Sequence, residues 1–106
     1  MGDKKFKVIL ARRAEYMMLS HTEFLSRVST ASARKLLSEF KKVTNRIADN
    51  PHQFPYADEL DAKGVSPQTY RKAVFYNRYK ALFIVEDNHA YVDAIIDCRQ
   101  DNSAVV

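Results

Sequence analysis

The chain has 106 residues, of which 46% are hydrophobic and 11% aromatic, so it can bury one core and is too apolar for a disordered segment. A single cysteine excludes an internal disulfide and a zinc centre built from cysteines. No apolar run approaches the length of a membrane span, and the first five residues lack a signal-peptide core. We therefore expect one soluble, cytoplasmic domain over residues 1–106 that does not associate with a membrane.

The charge is unevenly distributed along the chain. Seventeen Lys and Arg residues against thirteen Asp and Glu residues give a formal net charge of +4. Residues 1–48 hold eleven of the basic and only four of the acidic side chains. A basic half of this kind favours an acidic partner, either nucleic acid or an acidic protein segment. A solvated helix surface with extra lysines fits the charge equally well.

The first half of the chain predicts a strand followed by two helices. Residues 5–10 alternate in hydropathy with a period of two, which is typical of a half-buried strand. Apolar residues then recur every three or four positions over 11–28 and again over 33–47, as on amphipathic helices. Ser29 and Thr30 separate the helices and suit an N-cap. So short a link predicts an antiparallel helical hairpin with one shared apolar seam, which includes Phe24 and Val28.

The second half predicts a long loop and three strands. All three prolines fall between residues 51 and 69, which lack periodicity and therefore indicate an ordered loop. Strands are predicted over 70–76, 79–86 and 90–97, and the alternation of the last places Val92, Ala94 and Ile96 on one face. The element order is β-α-α-β-β-β. It predicts an α+β fold in which the helical hairpin packs on one face of a small, mainly antiparallel sheet.

The sequence lacks the residue patterns that most well-known catalytic and cofactor sites require. The only glycines are Gly2 and Gly64, so a glycine-rich phosphate loop is excluded. The three histidines have no second histidine or cysteine at metal-ligand spacing, and we expect neither a metal nor a cofactor. His21 lies on the apolar seam and is expected to be a hydrogen-bonded core residue. Cys98 follows a predicted buried strand and is expected to be a structural thiol.

A group of cations and tyrosines on the predicted sheet remains as a candidate site. Its members are Tyr70, Arg71, Lys72, Arg78, Tyr79, Lys80 and Arg99. Cations beside aromatic rings suit phosphate contact and base stacking, but Lys and Arg also protect sheet edges from pairing. If the group acts on a phosphate backbone, Arg71 and Arg99 should converge, because both lie at the rims of one small sheet.

The order of the elements and several local strings resemble the RelE/ParE superfamily of bacterial toxins over residues 5–101. These strings are Lys7-Val8-Ile9-Leu10 with Arg13-Ala14-Glu15, Ala48-Asp49-Asn50-Pro51, Tyr70-Arg71-Lys72-Ala73-Val74-Phe75, Tyr79-Lys80-Ala81-Leu82-Phe83-Ile84-Val85 and Val92-Asp93-Ala94-Ile95-Ile96-Asp97-Cys98-Arg99-Gln100-Asp101. The resemblance implies the toxin of a type II toxin–antitoxin system, neutralised by a small cognate antitoxin. RelE-like toxins cleave mRNA on the ribosome without a metal, whereas ParE-like toxins inhibit DNA gyrase and are not nucleases.

The resemblance also implies roles for particular residues. In a RelE-like ribonuclease, Glu59 would match the loop carboxylate that acts as base, and Arg71 and Arg99 the arginines that bind the phosphate. Further contacts to nucleic acid would come from Lys63, Lys72, Arg78 and Lys80. The His or Tyr that serves as general acid just after the last arginine is replaced here by Gln100, Asp101 and Asn102. Asp101 is ionised near neutrality and is therefore a poor proton donor.

Three functions therefore stay open on the sequence alone. The chain is either a metal-independent mRNA endoribonuclease without the usual general acid, or a toxin of the gyrase type that cleaves no RNA. The third alternative is a nucleic-acid-binding or protein-interaction domain of the same fold without toxicity.

Overall fold

The computed structural model describes residues 5–58 and 60–99, and the chain order of its elements is the predicted one. The elements are β1 (Lys7–Leu10), α1 (Arg12–Val28), α2 (Thr30–Asp49), a short 3-10 turn (Pro51–Gln53), β2 (Arg71–Phe75), β3 (Tyr79–Glu86) and β4 (His89–Asp97). Among the residues described, no helix combines the length and the hydropathy needed to cross a membrane.

One serine joins the two helices. The Ser29 backbone N–H donates to the Leu25 carbonyl at 2.9 Å, which closes α1. The hydroxyl oxygen of Ser29 accepts a hydrogen bond from the Ser32 N–H at 3.0 Å, which satisfies one free donor of the first turn of α2. The predicted hairpin with its cap at Ser29 is therefore confirmed.

The four strands form a mixed sheet in the order β1-β4-β3-β2. β1 pairs with β4 in parallel, and the other neighbours are antiparallel. The hairpin covers one face of this sheet with the main core, in which the largest fully buried side chains include Leu36, Val43, Ile47, Tyr79, Phe83, Val92 and Ile95. This arrangement confirms the predicted α+β fold with helices on one face.

The long loop between the 3-10 turn and β2 covers the opposite face. Three of its side chains, Ala57, Ala62 and Val65, are buried in a second cluster. The strand residues of this cluster are Leu82, Ala94 and Ile96. The sheet is thus covered on both sides, by helices and by a loop that lacks regular secondary structure over most of its length.

The predicted faces of the last strand are wrong beyond Val92. Leu82 pairs with Ala94 while Phe83 pairs with Val92, so Asp93 is an additional residue in a β-bulge. The bulge reverses the alternation, because one extra residue exchanges the two faces. Val92 and Ile95 consequently contact the helices, whereas Ala94 contacts the loop.

Candidate functional site

A buried ion pair organises the end of the sheet where β2 leads into β3 and β4 ends. The Arg78 guanidinium donates to both oxygens of Asp97, with Nη2 to Oδ2 at 2.8 Å and Nε to Oδ1 at 3.2 Å. The Arg99 backbone N–H donates to Oδ1 at 2.9 Å. Burial alone would raise the pKa of Asp97, but these hydrogen bonds and the Arg78 charge lower it below its ordinary value of 3.8. The carboxylate therefore stays ionised and fixes Arg78.

A groove of about 530 Å³ lies beside this ion pair. Its lining residues are Phe24, Leu25, Val28, Ser32, Tyr76, Asn77, Arg78 and Arg99. Phe24 and Val28 are 51% and 69% exposed, so the prediction that they belong to the buried seam is wrong. Both lie in the last five residues of α1. We call this surface the Phe24 groove. It combines exposed apolar side chains with two arginines.

His21 of α1 contacts Tyr79, the first residue of β3, at this end of the sheet. The Nε2 atom of His21 is 2.8 Å from the Ile95 carbonyl oxygen, and its ring lies 4.8 Å from that of Tyr79. The predicted hydrogen bond of His21 is thus confirmed, and the side chain is half-buried. Tyr79 is fully buried, and its hydroxyl finds no hydrogen-bond partner within residues 5–58 and 60–99. Burial raises the pKa of Tyr79, which keeps the phenol protonated.

Arg71 lies at the opposite end of β2, where the long loop reaches the sheet. Its Nη1 donates to the Phe54 carbonyl at 2.7 Å, and its Nη2 donates to the Tyr56 hydroxyl at 3.1 Å. The guanidinium carbon also lies 4.2 Å from the centre of the Tyr56 ring, a cation–π contact. Its Nη1 also lies 3.5 Å from the His52 carbonyl, so Arg71 holds the loop against the strand through four contacts.

Lys72 and Lys80 share one carboxylate beneath the loop. The Asp61 Oδ1 atom lies 2.6 Å from Lys72 Nζ and 3.5 Å from Lys80 Nζ. Asp61 and Lys80 are 7% and 6% exposed and are removed from solvent, whereas the Lys72 side chain is 29% exposed. Burial opposes ionisation of Asp61, but the hydrogen bonds from Lys72 and the Asp58 N–H and the two positive charges lower its pKa. We call these residues the Asp61 cluster.

The structure places Arg71 and Arg99, two of the three predicted catalytic residues, apart from one another. Arg71 is opposite Phe83 on β3, whereas Tyr79, at the other end of β3, is opposite Asp97, two residues before Arg99. The expected convergence of Arg71 and Arg99 is therefore wrong, since β2 and β3 run antiparallel and place them at opposite ends of β2. Glu59 lies outside the described residues, as do the predicted positions of the missing acid at 100–102.

The remaining predicted nucleic-acid contact, Lys63, is exposed on the loop. It lines a shallow groove together with Tyr70 and Asp93, whose side chains are joined by a hydrogen bond of 2.9 Å from the tyrosine hydroxyl. Burial, followed by this hydrogen bond to Asp93, raises the pKa of Tyr70. Lys63 is thus separate from the arginines of the Phe24 groove, whose lining does not include it.

The two acidic partners, Asp61 and Asp97, were not recognised from the sequence. Asp97 directly follows the apolar run Ala94-Ile95-Ile96 at the end of the last strand, and a carboxylate there is a signal for a buried cation partner. Asp61 gives no such signal, because it lies in an acidic stretch of the loop. Cys98 is exposed, so the expected structural thiol is not a core residue. Among the described residues, no group of three His, Cys, Asp or Glu side chains could hold a metal.

The four-stranded sheet, covered by an α-hairpin on one face, defines a RelE/ParE-like α+β fold. A solved structure described as a chromosomal ParDE TA system from P. aeruginosa matches it with a TM-score of 0.67 and 11% sequence identity. The match covers 87% of this chain and 95% of that chain, so the two share their whole architecture. No protein-family model matches the sequence, and no curated protein matches it either.

Proposed function

We propose that the chain is the toxin of a type II toxin–antitoxin pair and is neutralised by a small cognate antitoxin. The observation that carries this proposal is the match to a ParDE toxin–antitoxin structure over most of both chains. The charge of the first half of the chain supports it, because a segment with eleven basic side chains against four acidic ones suits an acidic partner.

We further propose that the toxin acts by binding a protein target, as gyrase-type toxins do, and not by cleaving RNA. Four cations of the candidate group are already engaged with internal partners. Arg71 contacts loop carbonyls, Lys72 and Lys80 contact Asp61, and Arg78 contacts Asp97. A ribonuclease site needs several cations free to stabilise a charged phosphorane at one place. The internal ion pairs therefore support a binding role over a catalytic one.

The Phe24 groove is the surface that we assign to neutralisation by the antitoxin. Phe24 and Val28 offer exposed apolar contact area, and Arg99 offers a positive charge at the rim. An antitoxin segment that alternates apolar and acidic side chains would cover Phe24 and Val28 with its apolar side chains and pair its acidic side chains with Arg99. The same chemistry would repel a basic segment.

Controlled induction in a bacterium tests the toxin proposal. We expect growth to stop when the chain is expressed alone and to recover when the small protein encoded beside it is expressed as well. Growth indistinguishable from that with an empty vector, at verified soluble expression, would contradict the proposal.

Two assays with purified protein distinguish the modes of action. We expect inhibition of DNA supercoiling by gyrase and intact ribosome-bound mRNA. Cleavage of that mRNA, lost in Glu59→Gln, Arg71→Ala or Arg99→Ala, would instead establish the ribonuclease alternative. If the protein neither inhibits gyrase nor cleaves mRNA, and its expression does not inhibit growth, the non-toxic binding domain remains as the function.

Rescue by the antitoxin tests the Phe24 groove. Val28→Asp should weaken rescue, because it places a negative charge where an acidic segment binds. Leu37→Asp is the matched control, since Leu37 is 50% exposed on α2 and does not line the groove. Equal loss of rescue by both variants would exclude the groove as the specific contact.

A further inference from the structure

The outward face of α1 carries a chemically ordered stripe of four residues: Arg12, Tyr16, Leu19 and Glu23. Their spacing of four, three and four residues places them on one side of a helix with 3.6 residues per turn. The buried residues of α1, Ala14, Met18 and Leu25, lie on the opposite side. The stripe, which we call the α1 stripe, therefore points away from the core.

The centre of the α1 stripe is apolar and exposed. Tyr16 and Leu19 are 68% and 57% exposed, and with Arg12 and Glu15 they line a shallow groove of about 330 Å³. The outer face of an amphipathic surface helix is normally charged or polar. Two adjacent large apolar side chains on that face indicate a surface that contacts another molecule.

The ends of the α1 stripe carry opposite charges without internal partners. Neither Arg12 nor Glu23 forms an ion pair with any residue in 5–58 or 60–99. Arg12 is also the first residue of α1, where a positive charge is unfavourable beside the positive end of the helix dipole. A carboxylate from another molecule at this point would remove that unfavourable interaction.

The order of these groups is self-complementary under a two-fold axis. When two copies of α1 meet antiparallel, centred between Tyr16 and Leu19, Arg12 faces the partner's Glu23 and Tyr16 faces the partner's Leu19. Each contact then occurs twice, as an isologous interface requires. A parallel arrangement would instead place like charges together at both ends.

We propose that the chain forms a two-fold dimer through antiparallel contact of the α1 stripes. The occupant of this surface is a second copy of the same chain, because the charges of the stripe pair with opposite charges when a second stripe lies antiparallel to it. The stripe extends over about 16 Å of helix, since each residue advances about 1.5 Å. A stripe of this length is short beside a standard interface of roughly 800 Å² per partner, so we expect a weak dimer that forms reversibly with concentration.

Sedimentation velocity on the full chain between about 5 and 500 µM tests the dimer. We expect a reversible shift from monomer to dimer across this range. Arg12→Glu and Glu23→Arg should each raise the dissociation constant at least tenfold, because each places like charges opposite one another at both ends of the contact. Leu19→Ser should also weaken it, whereas Leu37→Ser, an equally exposed change on α2, should not.

Mixing the two charge variants is the decisive experiment. An equimolar mixture of Arg12→Glu and Glu23→Arg chains places opposite charges at both ends of a heterodimer, and dimer should reappear. Arg34→Glu and Glu39→Arg, which make the same charge changes on α2, should each behave like the parent chain. Circular dichroism of each variant is the control for folding.

Three results would overturn the proposal. The first is a monomeric parent chain at 500 µM, and the second is a mixture that stays monomeric although each variant is folded. The third is equal weakening by the stripe variants and the α2 controls, which would indicate a general charge effect.

Discussion

At the scale of the single residue, Asp97 connects the end of β4 with the turn before β3. Its two oxygens accept hydrogen bonds from Arg78 and from the backbone N–H of Arg99. The residue is 2% exposed, so its charge is tolerated only because these donors surround it. The position of Arg78 over the Phe24 ring, 5.6 Å from the ring centre to the guanidinium carbon, depends on the same carboxylate.

Asp97→Asn should lower the free energy of unfolding by about 2–3 kcal/mol at pH 7, because it leaves the partly buried Arg78 without its counter-charge. The pKa of Asp97 is lowered in the folded state, so its contribution is present above its ordinary pKa of 3.8 and is lost as the pH falls below that value. The difference between parent and variant should therefore shrink at pH 3, as measured by urea denaturation.

Asp49→Asn is the control for this prediction. Asp49 pairs with Lys5 at 3.2 Å, but both side chains are more than half exposed, and such pairs contribute little. A change of less than about 0.5 kcal/mol is expected. A loss at Asp97 that is no larger than at Asp49, or that persists unchanged at pH 3, would contradict the assigned role of the ion pair.

At the scale of the element, the long loop is held on the sheet by the Asp61 cluster and by Arg71. Asp61→Asn should destabilise the fold by about 3–5 kcal/mol, because Lys80 then remains buried with an uncompensated charge. Lys80→Met removes that charge, so the double variant Asp61→Asn with Lys80→Met should recover a large part of the loss. Thermal unfolding of the four proteins measures this coupling.

The matched control for this cycle is Lys42→Met, which removes an exposed lysine paired with Glu39. It should not rescue Asp61→Asn. Additive effects of the Asp61 and Lys80 substitutions would show that the two groups do not interact, contrary to the structure.

The elements themselves were predictable from the sequence, and their spatial relations were only partly so. The recurrence of apolar residues every three or four positions and the capping serine predicted both helices and their link at Ser29, because these signals are local. The bulge at Asp93 was not predictable, since an extra residue in one strand leaves no trace in an alternation of apolar and polar residues. The separation of Arg71 from Arg99 depends on the direction and register of three strands, which the local pattern does not specify.

At the scale of the whole molecule, residues 1–48, which include both helices except the end of α2, hold eleven basic and four acidic side chains, whereas residues 49–106 hold six basic and nine acidic ones. If an acidic antitoxin binds the helical side, its affinity should fall as salt screens the charges. We expect the dissociation constant to rise about tenfold between 50 and 500 mM NaCl, as measured by calorimetry with the small protein encoded beside the chain. A dissociation constant that does not change with salt would show that apolar contacts alone carry the binding.

The parallel pairing of β1 with β4 sets the order in which a newly synthesised chain can fold. Lys7 pairs with His89, so roughly 80 residues must follow β1 before its neighbour in the sheet exists. At about 5–20 residues per second, the nascent chain waits roughly 4–16 s for this contact. β1 lies at the edge of this sheet, and within residues 5–58 and 60–99 it pairs with no strand other than β4. A chain that stops before β4 therefore has an unfinished sheet, and the sheet can be completed only after the last residues of β4 have been synthesised.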